Sequence, residues 1–271
     1  MRARISDGGL MRTLARAAAF LAASLLIGQA FAEEKPEVGT SVAVKGKVDV
    51  EGESSQRRAI VNGATIRENE PIETSKTGTA EIALKDDSKL AIGPETRIVI
   101  EPTPVAESTG TGGGTVINLG YGSMRFVTAK SDQRRYKIKT PHAYIDARRA
   151  VFDIYVARNG EVAVLVHEGW VDVCPPSGCR RHDSLGKIVH VTTAGVLSAP
   201  VKWDGTFFKG VAIAAAFPFI GRSLRIDPIR RLRHADLIVR LPLDPTRRLK
   251  TPADVIIKTP RVPIPAPRLP F

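Results

Sequence analysis

Hydrophobic and polar residues alternate along residues 140–173 of the chain. The apolar positions recur at every second residue within three short runs, and they are Phe152, Ile154, Val156, Val162, Val164, Val166, Val171 and Val173. A period of two places one set of side chains on one face of a strand. Asn159-Gly160 is suited to a tight hairpin turn between the first two runs, and Glu168-Gly169 marks a turn before the third. The pattern therefore predicts three strands with one buried face.

Similar short runs occur throughout residues 40–197. Apolar residues two apart recur in order along the chain, at Val42 and Val44, Val48 and Val50, Ile82 and Leu84, Leu90 and Ile92, and Ile98 and Ile100. Turn residues separate these runs at intervals of about 8 to 10 residues, a spacing typical of all-β proteins. No sustained helical period interrupts them. We therefore predict an all-β domain over residues 40–199, for which the periodicity permits a sandwich or a small barrel.

The N-terminal 32 residues have the organisation of a secretory signal. Four arginines precede an uncharged stretch at residues 17–32, which ends in Ala30-Phe31-Ala32 and is followed by Glu33. This stretch is short for a membrane span, and the small-x-small ending resembles a cleavage site. We predict a cleaved signal peptide over residues 1–32, with cleavage between Ala32 and Glu33. The mature protein would then be periplasmic or secreted, and the alternative is an uncleaved anchoring helix.

The two cysteines, Cys174 and Cys179, flank the turn-forming sequence Pro-Pro-Ser-Gly. In an oxidising compartment a disulfide is the expected state, and it would close a hairpin just beyond the strand at residues 171–173. Closing so small a loop contributes about 2 kcal/mol in the chain-entropy model. A metal site of both thiolates with His182 is the sharper alternative, but three ligands at this spacing match no standard zinc pattern. A redox-active dithiol is the other alternative.

Positive charge is concentrated in the C-terminal part of the chain. Residues 33–199 carry no net charge, whereas residues 200–271 have 14 Lys+Arg against 5 Asp+Glu. Within this part, residues 206–217 form an apolar segment that is either helical or irregular. It could pack on the β domain and cover an exposed edge, or it could contact a membrane surface together with the following arginines. We predict a capping segment over residues 200–235.

Proline dominates the last part of the chain. Residues 236–271 contain eight prolines, which exclude long helices and favour polyproline II or disorder. We predict a disordered basic tail that could bind an acidic envelope polymer, an anionic lipid surface or a partner protein. Nucleic acid is not an expected partner, because the tail lacks the basic-plus-aromatic pattern used for base stacking.

The sequence offers no arrangement of residues typical of an enzyme. The five histidines are scattered without metal-binding spacing, and no nucleophile elbow occurs. His167 is expected at a strand end, exposed or hydrogen-bonded in the turn. Asp146 and Asp153 could form a carboxylate pair, but Arg148 and Arg149 are near enough in sequence to neutralise them. We predict a protein without catalytic activity, cofactor or bound metal.

Residues 140–169 also resemble the FecR domain of bacterial iron-uptake regulators. In that family a Thr-Pro precedes an Arg-Gly-Thr-x-Phe group, and a later strand ends in Glu-Gly. The matching positions here are Thr140, Pro141, Arg148, Phe152, Glu168 and Gly169. Arg149 and Ala150 stand where the family usually has Gly and Thr. Weaker matches to the family pattern extend the resemblance to about residues 40–197.

This resemblance implies a short right-handed β-solenoid and a Gram-negative-type envelope location. In the family, the domain senses an outer-membrane receptor and signals through a membrane helix to a cytoplasmic anti-sigma domain. Because only 16 residues precede the hydrophobic stretch here, we expect no such cytoplasmic domain. The expected function is sensing or scaffolding by contact with a separate envelope or membrane protein, linked to iron-uptake-type signalling. The alternative is a module that binds peptidoglycan, anionic polysaccharide or a membrane surface through its basic tail.

Overall fold

The structure is a computed structural model that describes residues 35–52, 56–101, 115–129, 136–203, 207–227 and 232–238. The predicted signal peptide and its cleavage positions Ala30, Ala32 and Glu33 lie outside these ranges. So does the Pro-rich tail beyond residue 238. Within the described ranges, no helix is both long enough and apolar enough to cross a bilayer.

The described residues form an all-β protein, which confirms the predicted class. The strands are β1 (Glu37–Lys45), β2 (Val48–Glu51), β3 (Arg57–Ala59), β4 (Thr65–Arg67), β5 (Ile72–Thr74), β6 (Thr79–Leu84), β7 (Lys89–Ile92), β8 (Arg97–Glu101), β9 (Thr115–Val127), β10 (Tyr136–Lys139), β11 (Tyr144–Val156), β12 (Val162–Cys174), β13 (Arg180–His182) and β14 (Ile188–Val191). Two four-residue helices follow, α1 (Ile213–Ala216) and α2 (His234–Leu237).

Three long strands, β9, β11 and β12, organise the sheet, because each pairs with different neighbours along its length. Their pairings define two layers. Layer A has the order β4-β1-β6-β7-β9-β11-β12-β14, and it uses the second halves of β9 and β11 with the first half of β12. Layer B has the order β3-β2-β5-β8-β9-β10-β11-β12-β13, and it uses the remaining halves. The sheet as a whole is open.

The long strands pass between the layers at irregularities in their register. The pairing of β11 with β12 shifts between Arg148 and Phe152, and the pairing of β8 with β9 shifts between Arg97 and Ile98. A β-bulge bends a strand and increases its twist, so such positions let one strand belong to two layers. The inward side chains of both layers then enclose one core. Phe126 packs there with Tyr136 and Phe152, at ring-centroid distances of 5.2 and 5.9 Å.

The solenoid implied by the family resemblance is not confirmed. The coils of a β-solenoid stack through parallel strand pairs. Among the named strands of the described ranges, only β9 and β10 pair in parallel, and every other pairing is antiparallel. The alternating pattern is satisfied instead by two facing layers, an arrangement that the periodicity also permitted.

The C-terminal segment, defined here as the described residues 203, 207–227 and 232–238, packs on the outer face of layer A. Phe208, Phe217 and Trp203 pack against Leu165 of β12 and Ile188 of β14. A second contact joins three further apolar residues of the segment to β7, and these are Phe219, Leu224 and Ile226. The segment therefore covers a face of the sheet, whereas the sequence suggested the covering of an edge. It is mostly irregular, since Pro218 follows α1 almost directly and disfavours continuation of a helix.

Candidate functional site

The outer face of layer B is exposed and carries ion pairs across its strands. Arg57 and Arg97 pair with Glu73, and Lys139 pairs with Glu101 at 3.2 Å. These residues occupy the polar positions of the alternating runs, so the same period that fills the core also builds this charged surface. The outer face of layer A differs, because the C-terminal segment packs on it and covers Leu165 and Ile188. The two outer faces therefore differ in chemistry, and the open one is the candidate surface for contacts.

A groove of about 260 Å³ lies at the β11–β13 end of this open face. Its lining comes from three neighbouring strands and consists of Asp146, Ala147, Arg148, Trp170, Asp172 and Arg181. Arg148 lies opposite Trp170 in the register of β11 and β12, and Asp172 lies opposite both Asp146 and Arg181. Outward-facing positions two residues apart thus align across the strands and form one site.

The charges of the groove are only partly paired with one another. The Arg181 guanidinium stacks 3.5 Å from the centroid of the Trp170 ring, and its Nε donates to Asp172 Oδ1 at 3.2 Å. Asp146 also has an interaction of its own. Arg148 is different, because no acceptor within the described part of the chain forms a hydrogen bond or an ion pair with its guanidinium. The groove therefore contains one half-buried arginine whose charge is not matched.

The predicted disulfide is present beside this groove. Cys174 and Cys179 are bonded, and they join the end of β12 to the residue before β13. The metal alternative, which requires both free thiolates, is therefore not realised in this structure. His182, the third residue of the metal alternative, is buried, and its Nε2 lies 3.1 Å from the carbonyl oxygen of Lys187. The hydroxyl of Tyr144 lies 3.5 Å from Cys179 Sγ, so the disulfide also contacts β11.

The residues that carry the family resemblance are spread along the strand pair β11 and β12. The Thr140 hydroxyl donates to the carbonyl oxygen of Ala143 at 2.6 Å and fixes the turn before β11, with Pro141 next to it. Phe152 is fully buried in the core, and Arg148 lines the groove. Glu168 and Gly169 lie within β12, where its register with β11 is irregular, so the predicted turn is wrong and the second and third predicted strands form one strand. These residues therefore shape the strand pair and do not form one cluster.

Arg149 and Gly169 face each other at this irregularity. Arg149 has a φ of 45° and Gly169 a φ of 71°, so both adopt the left-handed region that glycine tolerates best. A Cβ at position 169 would lie 2.2 Å from the Arg149 carbonyl oxygen. The conformation gives a physical reason for the glycine that the family usually has at the position of Arg149.

A second group of polar residues is buried between layer A and the C-terminal segment. Arg125 Nε and Nη2 donate to the two carboxylate oxygens of Asp153 at 2.6 and 2.9 Å. His167 Nε2 lies 3.0 Å from Asp153 Oδ2, and Asp227 of the C-terminal segment lies 3.5 Å from Arg125 Nη1. Each of these four residues is less than a tenth exposed. They therefore hold the segment on the sheet and do not face solvent.

Two expectations from the sequence are wrong at this buried group. Asp153 does not pair with Asp146, because Asp153 lies on the outer face of layer A and Asp146 on the outer face of layer B. Arg125, which is distant in sequence, neutralises Asp153 instead of Arg148 or Arg149. His167 is buried within β12 and is not exposed in a turn.

The electrostatics of the group favour the charged forms of Asp153 and Arg125. Burial alone raises the pKa of Asp153, but His167 and Arg125 lower it, and the net pKa lies well below the ordinary value. Burial lowers the pKa of Arg125, whereas Asp153 raises it, and the net shift is upward. The signal for these residues was a charged or polar side chain next to a long apolar run, as in Val151-Phe152-Asp153-Ile154. The sequence did not identify Arg125 as the partner of Asp153, because the two residues are 28 positions apart.

Comparisons with known proteins found similarity in the part of the chain that contains β11 and β12. A family model described as FecR protein matches residues 70–172. No curated protein matches the chain. Two crystal structures described as a "putative anti-sigma factor" from Parabacteroides distasonis ATCC 8503 are 18% and 17% identical to it, with TM-scores of 0.39. A structure described as a cell surface anchoring domain is 25% identical, with a TM-score of 0.23.

The structural matches are partial. Each Parabacteroides match covers 47% of this chain and 57% of the other, so this chain spans little more than half the length of those structures. The match to the anchoring domain covers 24% of this chain and 84% of that one. The family match, by contrast, extends from the start of β5 to the second half of β12, and it includes Arg148, Trp170 and Asp172 of the groove. Residues 70–172 therefore match the FecR family model, as the resemblance in the sequence predicted.

Proposed function

We propose that this chain is a non-enzymatic, exported FecR-domain protein that acts by protein–protein contact in envelope sensing or scaffolding. The observation that carries the proposal is the groove on the open face of layer B. It combines a half-buried tryptophan with two arginines on rigid paired strands. Tryptophan and arginine are enriched among the residues that dominate binding energy at protein interfaces. The family match supports a regulatory function of this kind.

Export and the absence of catalysis are parts of the same proposal. The N-terminal sequence pattern and the disulfide between Cys174 and Cys179 support an oxidising compartment such as the periplasm. The buried group around Asp153 supports a structural assignment, because the C-terminal segment closes it from solvent. We further propose that the signalling is of the iron-uptake type, as in the regulators that the family resemblance names.

Site-specific photo-crosslinking in the source bacterium tests the contact. A photoreactive phenylalanine replaces Tyr144, which is 37% exposed and lies beside the groove, or Val61, which is 64% exposed and lies outside it. We expect one discrete protein adduct from position 144 and none from position 61. The adduct should be lost when Trp170→Ala is added. Equal adducts from both positions would contradict a specific contact.

Transcript measurements then test signalling. A strain that carries Trp170→Ala should reproduce the expression changes of a deletion strain, with iron-uptake genes among those affected, although the protein accumulates normally. Val61→Ala serves as the matched control and should behave as wild type. Scaffolding is favoured over signalling if the deletion strain shows no transcript changes although the protein with the photoreactive residue at position 144 still forms its adduct.

A second candidate function is binding of an acidic envelope polymer or anionic lipid, and the net charge of +9 over residues 200–271 favours it. The C-terminal segment packs on the sheet, so the variant that leaves it intact removes residues 239–271 only. Co-sedimentation with purified peptidoglycan, or with vesicles containing anionic lipid, should then fall and should weaken with added salt. Unchanged sedimentation of the truncated chain would exclude the tail as the binding element.

A further inference from the structure

We propose that the groove binds a carboxylate of an acidic peptide segment, with Arg148 as the anchoring cation and Trp170 as the apolar surface beside it. This inference rests on the proposed function, because it specifies the chemistry of the partner that contacts the open face of layer B.

The pairing of the charged side chains that line the groove indicates the sign of the charge that a ligand should carry. Two arginines and two aspartates line the groove. Asp172 is held by Arg181 through both carboxylate oxygens, at 3.2 and 3.4 Å. Asp146 is also engaged in an interaction. Arg148 has no hydrogen-bond or ion-pair partner within the described ranges. The charge left for a ligand is therefore positive, and its complement is an anion.

The surroundings of Arg148 favour a carboxylate that is attached to an apolar neighbour. The planar guanidinium presents parallel N–H donors that match both oxygens of a carboxylate. Arg148 is half-buried, so an ion pair formed there is less screened than one in open solvent. Trp170 lies directly opposite in the strand register and is also half-buried, with Arg181 stacked against its ring. The remaining ring surface can accept an apolar side chain next to the carboxylate.

The dimensions favour a peptide over a small metabolite. A volume of about 260 Å³ is below the range of about 300–1,000 Å³ in which small-molecule pockets usually fall. The groove also opens on a sheet face, where cross-strand ion pairs continue toward β8 and β5. Such a site has room for one or two side chains of a ligand whose backbone continues across the surface. We therefore assign the groove to an acidic residue flanked by apolar residues in a partner protein.

The test uses the mature full-length chain and two capped peptides, acetyl-Leu-Glu-Leu-amide and acetyl-Leu-Gln-Leu-amide. Amide NMR spectra follow the indole N–H signal of Trp170, which a Trp170→Phe spectrum distinguishes from that of the buried Trp203. We expect the Glu peptide to shift the Trp170 signal in a saturable way. The Gln peptide and the protein variant Arg148→Gln should each weaken binding at least fivefold.

Arg57→Gln is the matched control, because it removes an arginine from the same face at the distant strand β3. It should leave binding unchanged, and thermal unfolding should show that Arg148→Gln is folded. Equal binding of the two peptides, or no shift of the Trp170 signal, would overturn the proposal. Sodium acetate that binds as tightly as the Glu peptide would also overturn it, because the site would then recognise a small acid and not a peptide.

The crosslinking experiment separates failure of this inference from failure of the proposed function. If Trp170→Ala abolishes the adduct while Arg148→Gln leaves it intact, protein contact stands and carboxylate recognition fails. If neither change affects a specific adduct, both proposals fail.

Discussion

Arg149 adopts a left-handed backbone conformation that costs a residue with a Cβ more than it costs glycine. We predict that Arg149→Gly stabilises the protein by about 0.5–1 kcal/mol, since relief of this strain exceeds the extra entropy that glycine loses on folding. Urea unfolding at pH 7 measures the difference. Arg149→Ala is the control, because it removes the side chain but keeps the Cβ, and it should give no such gain. A loss of stability in the glycine variant would show that the side-chain interactions of Arg149 outweigh the strain.

The buried ion pair of Arg125 and Asp153 predicts a large cost when one charge is removed. Asp153→Asn leaves the Arg125 guanidinium without its main counter-charge, so we expect a loss of about 3–5 kcal/mol in the free energy of unfolding. Glu37→Gln breaks the exposed ion pair with Lys85 and should cost less than about 1 kcal/mol. Comparable losses in the two variants would contradict the assignment of the Arg125 pair as a structural centre.

The same pair predicts a dependence on acid. The folded-state pKa of Asp153 is depressed, so the unfolded chain binds this proton more readily. The stabilisation from Asp153 is therefore complete above its unfolded pKa of about 4 and is lost as the pH falls below that value. Between pH 7 and pH 3, the difference in urea midpoint between wild type and Asp153→Asn should narrow once the pH falls below about 4. Parallel curves across this range would contradict the depressed pKa.

At the scale of the elements, β14 meets the C-terminal segment through His190. The ring packs 5.3 and 4.9 Å from the rings of Phe207 and Phe208, and Nε2 has no hydrogen-bond partner. Burial lowers the pKa of His190, and Glu161 opposes this shift without cancelling it. The folded state therefore favours the neutral ring and loses stability when the ring becomes charged.

This contact predicts that stability falls as the pH decreases below about 6.5, because the unfolded chain then binds a proton that the folded chain resists. His190→Phe keeps the aromatic packing but cannot be protonated, so its stability should fall less than that of wild type between pH 7.5 and pH 5. His182, whose pKa burial also lowers, should account for part of the slope that remains. Denaturant midpoints across this range give the comparison. An unchanged slope in His190→Phe would exclude His190 as the titrating group.

At the scale of the whole molecule, the C-terminal segment and the sheet share hydrophobic clusters and a buried ion pair. We therefore expect them to unfold together. The two tryptophans report on the two parts, because Trp203 lies in the segment and Trp170 on the sheet. In single-tryptophan variants, Trp170→Phe and Trp203→Phe, both fluorescence signals should change at the same denaturant concentration.

Phe217→Ala should lower the free energy of unfolding by about 3–5 kcal/mol and lower both midpoints together, because it leaves a cavity among fully buried apolar side chains. An earlier transition at Trp203 than at Trp170 would show that the segment detaches before the sheet unfolds.

Much of the β domain could be predicted from the sequence, because its information is local. The β-branched valines at every second position of Val162-Ala163-Val164-Leu165-Val166 and the turn at Asn159-Gly160 specify strands and a hairpin whatever the rest of the chain does. The close spacing of Cys174 and Cys179 likewise allowed a correct disulfide prediction. Ala163 and Leu165 add a further signal, since an apolar residue at every position of a run indicates a strand covered on both faces.

The sequence singled out Arg148 among the residues that line the groove but did not predict the groove itself. Arg148 was identified through the family resemblance, but Trp170, Asp172 and Arg181 were not connected with it. These residues belong to three strands, and only the register of β11, β12 and β13 brings their side chains together. Register depends on how whole strands pack, so a one-residue slip would place these side chains on the opposite face.

The sequence by itself determined the all-β class, the hairpin at Asn159-Gly160 and the disulfide, because each depends on residues a few positions apart. The tertiary structure decided how three long strands are shared between two layers, which outer face the C-terminal segment covers, and that Arg125 rather than Arg148 or Arg149 neutralises Asp153. Those outcomes depend on pairing between distant residues, where packing and desolvation select one partner among many. The groove at Arg148 and Trp170 is open because, among the residues that the structure describes, that selection places the C-terminal segment on layer A and not on layer B.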